Sequence, residues 1–223
     1  MLFKFVPKDL LIDNKSSINT GNMNFLSIDC STDIGSLFLK TKSKTFSKLL
    51  QSDKFNNDLL MVQILDFFKE KKVDFEDISE ILVNQGPGNF SGLRASLSVA
   101  KGLCIAKNLK LFGYDTFIWS CSEFIRQKET IYSLIKFREK YFVKKFNKNL
   151  TINFKTKQIS TKDIIKKYKA SFKVIIKSNI KYFDGKILKL NNINIVDLDH
   201  HKLEFLKLRG LLNEGLIKPL YLN

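Results

Sequence analysis

NQGPGNFSGLRASLSVAKGL, residues 84–103, breaks a chain rich in Lys, Ile, Asn and Phe with a small, nearly uncharged run. It follows the short apolar segment ILVN, which suits a buried strand. Pro87 presets φ for a turn, and Gly88 is expected to take the positive φ of a type II turn. Gly86 stands before the proline as the first glycine of this turn. Ser91 is a good N-cap, which makes Gly92 the expected first helical residue. Arg94 then falls in the first turn, where the helix dipole disfavours a cation by about 0.3–1 kcal/mol. A specific partner for that guanidinium is expected, such as a carboxylate within the fold.

The helix that follows has one narrow, small face. Ala95, Ser98 or Val99, Gly102 and Ala106 lie at roughly helical spacing, with Leu93, Leu97 and Leu103 beside them. Gly102 inside a helix costs about 1 kcal/mol relative to Ala. Close approach of another helix would offset that, either from the same chain or from a partner. The glycine-rich turn could also cradle a phosphate at a helix N-terminus. It lacks the Lys-Ser/Thr end of a P-loop, however, and is not G-x-G-x-x-G.

Working outward, residues 1–22 read as a loose extension. MNFLSIDCST opens a first strand that ends at Asp29, whose side chain can cap the next turn together with Ser31. Residues 34–41 and 44–50 continue a meander. Residues 58–71 read as a helix, with Leu60, Ile64, Phe67 and Phe68 on one face. Asp58 near its start and Lys69, Lys71 and Lys72 near its end complement the dipole. LKLFGY is a strand and TFIWSCSEFIRQ a helix. In the second half TIYSLIKF and KYFVKKF form paired strands, TKDIIKKYKA a short helix and FKVIIKS a strand. DHHKLEFLKLRGLLNEG is expected to be one C-terminal helix with Leu203, Leu206 and Leu211 among its apolar positions. Pro219 keeps the tail extended.

Of 223 residues, 44% are hydrophobic and 27% charged, as in a globular protein. No window approaches the roughly 18 uninterrupted apolar residues of a membrane helix. The N-terminal MLFKFVPKDLLIDNKSS lacks a signal peptide's apolar run and cleavage site, so a cytoplasmic location without membrane contact is expected. Cys30, Cys104 and Cys121 match no zinc spacing and read as buried free thiols. His200 and His201 are adjacent, which disfavours a metal site and a histidine-based triad. Lys and Arg outnumber Asp and Glu by 15 to 14 in residues 1–125, but by 23 to 8 in residues 126–223. That asymmetry marks a subdomain boundary near residue 125. It points either to an anionic partner such as RNA or to codon bias.

GPGNFSGLRASLSVAKGL resembles the G-P-G-S-F-T-G-[LV]-R…A-x-G-L signature of the TsaB/YeaZ family, the smaller paralogue of the tRNA threonylcarbamoyltransferase subunit TsaD. FLSIDCSTDIGSLFL resembles the family's first hairpin, LFGYDTF its next strand and turn, and KPLYLN its P-x-Y-L ending. The resemblance is strong over residues 23–125 and weak beyond. Cys30, Asn89 and Ser91 stand where the family commonly has Thr, Ser and Thr. LIKFREKYF offers Arg138 and Glu139 where the family often has an aspartate and paired arginines.

The resemblance implies an α/β, actin/Hsp70-like (ASKHA, ribonuclease H-like) fold of two related subdomains with mixed sheets. These would be residues 23–125 and the basic residues 126–223, with the terminal helix and tail able to return to the first. It also implies a non-catalytic scaffold that pairs with a TsaD-like subunit through its N-terminal helices. A TsaE-like ATPase would join, and a homodimer could form when the partner is absent. The product would be threonylcarbamoyladenosine beside the anticodon of tRNAs reading codons that begin with A. ATP and metal would sit in the partner subunits, and tRNA would be bound through the complex, weakly or not at all by this chain alone. The partner-facing residues would be Leu60, Ile64, Leu93, Ala95, Leu97, Val99 and Gly102. The motif turn would comprise Asp29, Ser31, Gly86, Pro87, Gly88, Ser91, Gly92 and Arg94. Two other classes remain open at this point. One is an active nucleotide-dependent enzyme of the same fold, kinase-like or glycoprotease-like. The other is an RNA-binding module acting through the basic half. The residue inventory counts against the enzyme, because Asp29 alone, without a metal or base, makes a poor active site.

Overall fold

The computed structural model describes residues 23–50, 59–124, 127–148 and 155–222. The expected extension 1–22, Asp58 and the end of the 116–127 helix at residues 125–126 lie outside the described residues.

Two five-stranded sheets share one topology. In the first, β1 (Phe25–Asp29), β2 (Gly35–Lys40) and β3 (Thr45–Leu50) form an antiparallel meander. β4 (Glu80–Asn84) and β5 (Lys110–Tyr114) then add parallel to β1, giving the order β3-β2-β1-β4-β5. The crossovers into β4 and β5 carry α1 (Leu60–Lys71) and α2 (Phe90–Lys107), as parallel strands require. The second sheet repeats the plan with β6 (Thr130–Phe137), β7 (Lys140–Asn147), β8 (Lys157–Ile159), β9 (Lys173–Ile176) and β10 (Ile193–Val196). Its crossovers hold α4 (Thr161–Lys167) and α5 (Gly185–Leu188). Between the sheets run α3 (Thr116–Cys121) and, after β10, α6 (His201–Leu208). The architecture is α/β with two related mixed sheets.

The apolar periods decide which faces meet. Leu60, Ile64, Phe67 and Phe68 of α1 are buried with Leu97, Ala100 and Leu103 of α2 against Leu26, Ile28, Ile81 and Val83. A second cluster joins the two sheets: Phe25 and Leu82 of the first, Ile131, Phe142 and Val174 of the second, and Phe117, Trp119, Leu203 and Leu206 of the helices between. β1 and β4 are buried on both faces, which explains their continuous apolar reading.

The expected C-terminal helix over residues 199–215 is much shorter. It ends at Leu208, because Gly210 takes φ +64 and closes a Schellman cap. Its N–H bonds the Lys207 carbonyl at 2.8 Å, and the Leu211 N–H bonds Leu206 at 2.9 Å. The chain then runs back to the first sheet, where Asn213 bridges Gly113 and the Leu220 N–H donates to the Gln85 carbonyl at 2.7 Å. β8, α5 and β10 were not expected from sequence; they are three or four residues long and carry too few side chains to set a period.

Candidate partner face and motif turn

The glycine motif forms the junction between β1, β4 and α2. Asn84, at the end of β4, is fully buried and organises it. Its amide nitrogen donates to Asp29 Oδ1 at 3.0 Å, and contacts Ser31 Oγ and Thr116 Oγ1 at 3.1 Å each. Its amide oxygen accepts from the Gly86 N–H at 2.8 Å. That Asx turn places the reversal earlier than expected. Gly86, with φ +100, and not Gly88, takes the left-handed conformation, and the Gly86–Pro87 bond is cis.

The cap also differs from the expected one. Asn89 is the N-cap of α2, its Oδ1 accepting from the Gly92 N–H at 3.1 Å. Ser91 lies exposed inside the first turn, because the Asn89 side chain already reaches the orphan donor three residues on.

Gly88 and Gly92 are needed for a reason that sequence spacing did not show. A Cβ on Gly92 would overlap the Cys30 carbonyl oxygen, and one on Gly88 the Ser31 carbonyl. The turn after β1 lies directly on the start of α2, and the Asn89 N–H donates to the Ser31 carbonyl at 2.7 Å. The small residues here serve the chain's own backbone. Arg94 is exposed and, among the described residues, pairs with no carboxylate; its guanidinium lies 4.3 Å from the Phe90 ring centroid, and its Nε donates to Tyr221 Oη at 3.2 Å.

Asp29 accepts from the Ser31 N–H at 2.9 Å, the turn cap expected of it. Burial raises its pKa, and the Ser31 and Asn84 hydrogen bonds oppose that rise. Burial also raises all three thiols, Cys104 to about 11 and Cys121 to about 12. Thiols held protonated in this way are poor nucleophiles. Among the described residues no group of three or more His, Cys, Asp or Glu converges on a point.

The expected partner-facing residues divide into two sets. Leu60, Ile64, Leu93 and Leu97 are buried within this chain and cannot meet another one. Their period reported the core face of each helix, as amphipathic periods do. Ala95 and Val99 are half-buried, Gly102 is exposed, and a Cβ on Gly102 would have nothing within 4 Å. Around them α1 and α2 leave large apolar side chains in the open: Val62 is 50% exposed, Leu65 46% and Ile105 85%. These were missed because the core-facing positions carry the stronger pattern.

Sequence reasoning also missed two buried polar centres. Lys144 donates to Asp115 at 2.6 Å, and Asp115 in turn caps α3 through the Ile118 N–H. His200 is buried between Ser27 and Ser36, both at 2.9 Å, and stacks on Phe38. A buried histidine packed onto the first sheet has no local sequence signature. Burial first, and then His201, depress its pKa to about 3.

Because the folded pKa lies below the ordinary 6.5, the unfolded chain takes up this proton first as pH falls. The stability His200 contributes is therefore full above pH 6.5 and declines towards pH 3. Between pH 7.5 and 5 that loss is expected to reach about 2 kcal/mol. In urea titrations at those two pH values, His200→Gln should show the smaller decline; equal declines would contradict the assignment.

A cleft of about 640 Å³ separates the two units, between the Ser31–Ile34 and Pro87–Asn89 turns on one side and the β6–β7 turn on the other. Lys136, Arg138, Lys177 and Lys181 line it with Asp33 and Glu139. Lys181 bonds Asp33 at 2.7 Å, and Lys177 bonds Asp197 at 2.9 Å.

Residues 52–131 match the family described as "TsaD: tRNA N6-adenosine threonylcarbamoyltransferase". The chain is 33% identical over 86 residues to the tRNA threonylcarbamoyladenosine biosynthesis protein TsaB of Buchnera aphidicola subsp. Baizongia pistaciae, covering 38% of each chain. It is 23% identical over 94 residues to TsaB of Escherichia coli, covering 42% of this chain and 41% of that one. The matched segment thus spans about two fifths of these relatives' length. YeaZ from Pseudomonas aeruginosa superposes with a TM-score of 0.64 at 17% identity, covering 90% of this chain and all of that one. A second Pseudomonas aeruginosa structure, described as similar to peptidase YEAZ, gives 0.65 at the same identity and coverage. Sequence similarity to TsaB proteins is thus centred on the segment that carries the glycine motif, and the fold of the YeaZ structures is shared over most of the chain.

Proposed function

We propose that the chain is a non-catalytic subunit in tRNA threonylcarbamoyladenosine biosynthesis, pairing with a TsaD-like threonylcarbamoyltransferase. The modified adenosine would lie next to the anticodon of tRNAs that read codons beginning with A. The observation that carries the pairing is the face shared by α1 and α2. On it α1 exposes Val62 and Leu65, and α2 exposes Ile105 and Gly102 with Ala95 and Val99 half-buried. A helix of the partner can approach closely over Gly102. In this reading ATP and metal belong to the partner subunits, a TsaE-like ATPase joins them, and a homodimer forms through the same face when the partner is absent. The complex works in the cytoplasm; no described helix is long and apolar enough to cross a membrane.

The cleft favours a second reading, a nucleotide-dependent enzyme. Against it, Asp29 is buried in hydrogen bonds to Ser31 and Asn84, and the three cleft lysines, Lys136, Lys177 and Lys181, are paired with acids of the chain. Purified chain assayed for ATP hydrolysis should show no turnover above background. Sustained turnover without any partner would favour the enzyme.

A further inference from the structure

A second surface lies at the N-terminal end of α2 and combines open aromatic rings with unpaired guanidinium groups. Phe90 and Tyr221 are 47% and 46% exposed, with ring centroids 5.2 Å apart. Arg94 lies over Phe90 and bonds Tyr221. Phe137 and Arg138, from the β6–β7 turn, share with Phe90, Leu220 and Tyr221 the lining of a groove of about 250 Å³. The Arg138 guanidinium sits 5.5 Å from the Phe137 ring centroid. Among the described residues neither arginine forms an ion pair with a carboxylate. The groove continues into the larger cleft, with which it shares Pro87, Gly88, Phe137 and Arg138.

The backbone beneath Arg138 is unusual. Phe137 pairs with Lys140, so Arg138 and Glu139 form a two-residue hairpin turn. Arg138 takes φ +54, a left-handed conformation that is strained for a residue with a side chain. Glycine or asparagine is the usual occupant of such a position. An arginine is held there, at the mouth of the groove.

We propose that this groove binds single-stranded RNA, with one or two bases stacking on Phe90 and Tyr221 while Arg94 and Arg138 meet phosphates. Unpaired bases offer flat faces to aromatic rings whatever their sequence, and guanidinium groups resting on rings both extend the stacking surface and carry the charge that phosphates need. An acidic peptide would use the arginines but leave the rings exposed, and an apolar helix would bury two unpaired cations. The excess of 23 basic over 8 acidic residues in positions 126–223 draws a polyanion towards this side of the cleft. The choice of RNA over DNA rests on the tRNA reading above; the stacking chemistry does not.

The test is fluorescence anisotropy with the full chain and a labelled 12-nucleotide RNA of mixed sequence, against DNA of the same sequence. At 50 mM NaCl, saturable binding to the RNA is expected, tighter than to the DNA. Raising NaCl to 200 mM should weaken it about 7-fold, as for two phosphate contacts on a single strand. Phe90→Ala and Tyr221→Ala should each weaken it at least about 5-fold, the low end for losing one stacked base. Arg138→Gly relieves the strained turn, so it should melt no lower than the parent while binding at least about 3-fold more weakly. If Phe90→Ala does not fold, Tyr221→Ala and Arg138→Gly still decide. Absence of saturable binding, or folded aromatic variants that bind like the parent, would overturn the groove. DNA binding as tight as RNA would overturn the assignment to RNA. Co-purification with the TsaD-like subunit, scored on Arg138→Gly, separates failure of this inference from failure of the pairing.

Discussion

Gly102→Leu should leave the isolated chain melting at the same temperature or slightly higher, and abolish its co-purification with a TsaD-like subunit. Two physical terms set the first half of that result. Leucine is the better helix former by about 0.8 kcal/mol. The new side chain also points into open space, because a Cβ at this position meets nothing within 4 Å. At this chain length the gain corresponds to a rise of about 2–3 °C. The second half follows from the face that Gly102 shares with Val99 and Ile105. A leucine there would hold an incoming helix away from the backbone and leave the surrounding apolar side chains poorly covered. Overpacking inside the chain would have lowered the melting temperature by several degrees; the open surroundings of Gly102 remove that outcome. A lowered melting temperature, or undiminished co-purification, would count against the docking face.

Gly92→Ala should have the opposite character, although it lies ten residues away in the same helix. Helix propensity alone would favour alanine by about 1 kcal/mol. The added methyl, however, would overlap the carbonyl oxygen of Cys30, a backbone atom at the end of a fully buried strand. Neither strand nor helix can retreat without breaking the Asn89–Gly92 cap and the contact between Asn89 and Ser31. The net cost is expected near the upper end for overpacking, about 3 kcal/mol, or a melting temperature lower by about 6–12 °C. Gly88→Ala, whose methyl would overlap the Ser31 carbonyl, should behave in the same way. A melt of Gly92→Ala indistinguishable from the parent would show that the turn and helix are not packed as described.

These two glycines show what the sequence could and could not convey. Both belong to a single run of small residues, and one-dimensional spacing gives them the same meaning. The difference lies in what sits opposite each: a strand end brought in from sixty residues earlier in one case, open space in the other. The same limit explains Leu60, Ile64, Leu93 and Leu97. Helical period reveals that a face is apolar, but not whether this chain or another covers it, and here this chain does. Strands β1 to β5 were legible because each pairs an apolar run with a turn signal, and β1 and β4 are buried on both faces. The short elements of the second unit were not. His200 was beyond reach as well, since its partners Ser27 and Ser36 lie more than 160 residues away. The role of Gly86 was hidden for a local reason. Asn84 was read as the end of a strand, whereas its side chain starts the turn.

Hydrogen–deuterium exchange on this chain with and without a TsaD-like subunit is the most direct measurement of the central claim. Pairing through α1 and α2 predicts slower exchange on complex formation in peptides spanning residues 59–66 and 95–106, with the second sheet, residues 130–196, little changed. Protection confined to the second sheet or the cleft, or no protection at all under conditions where the partner is folded, would contradict it.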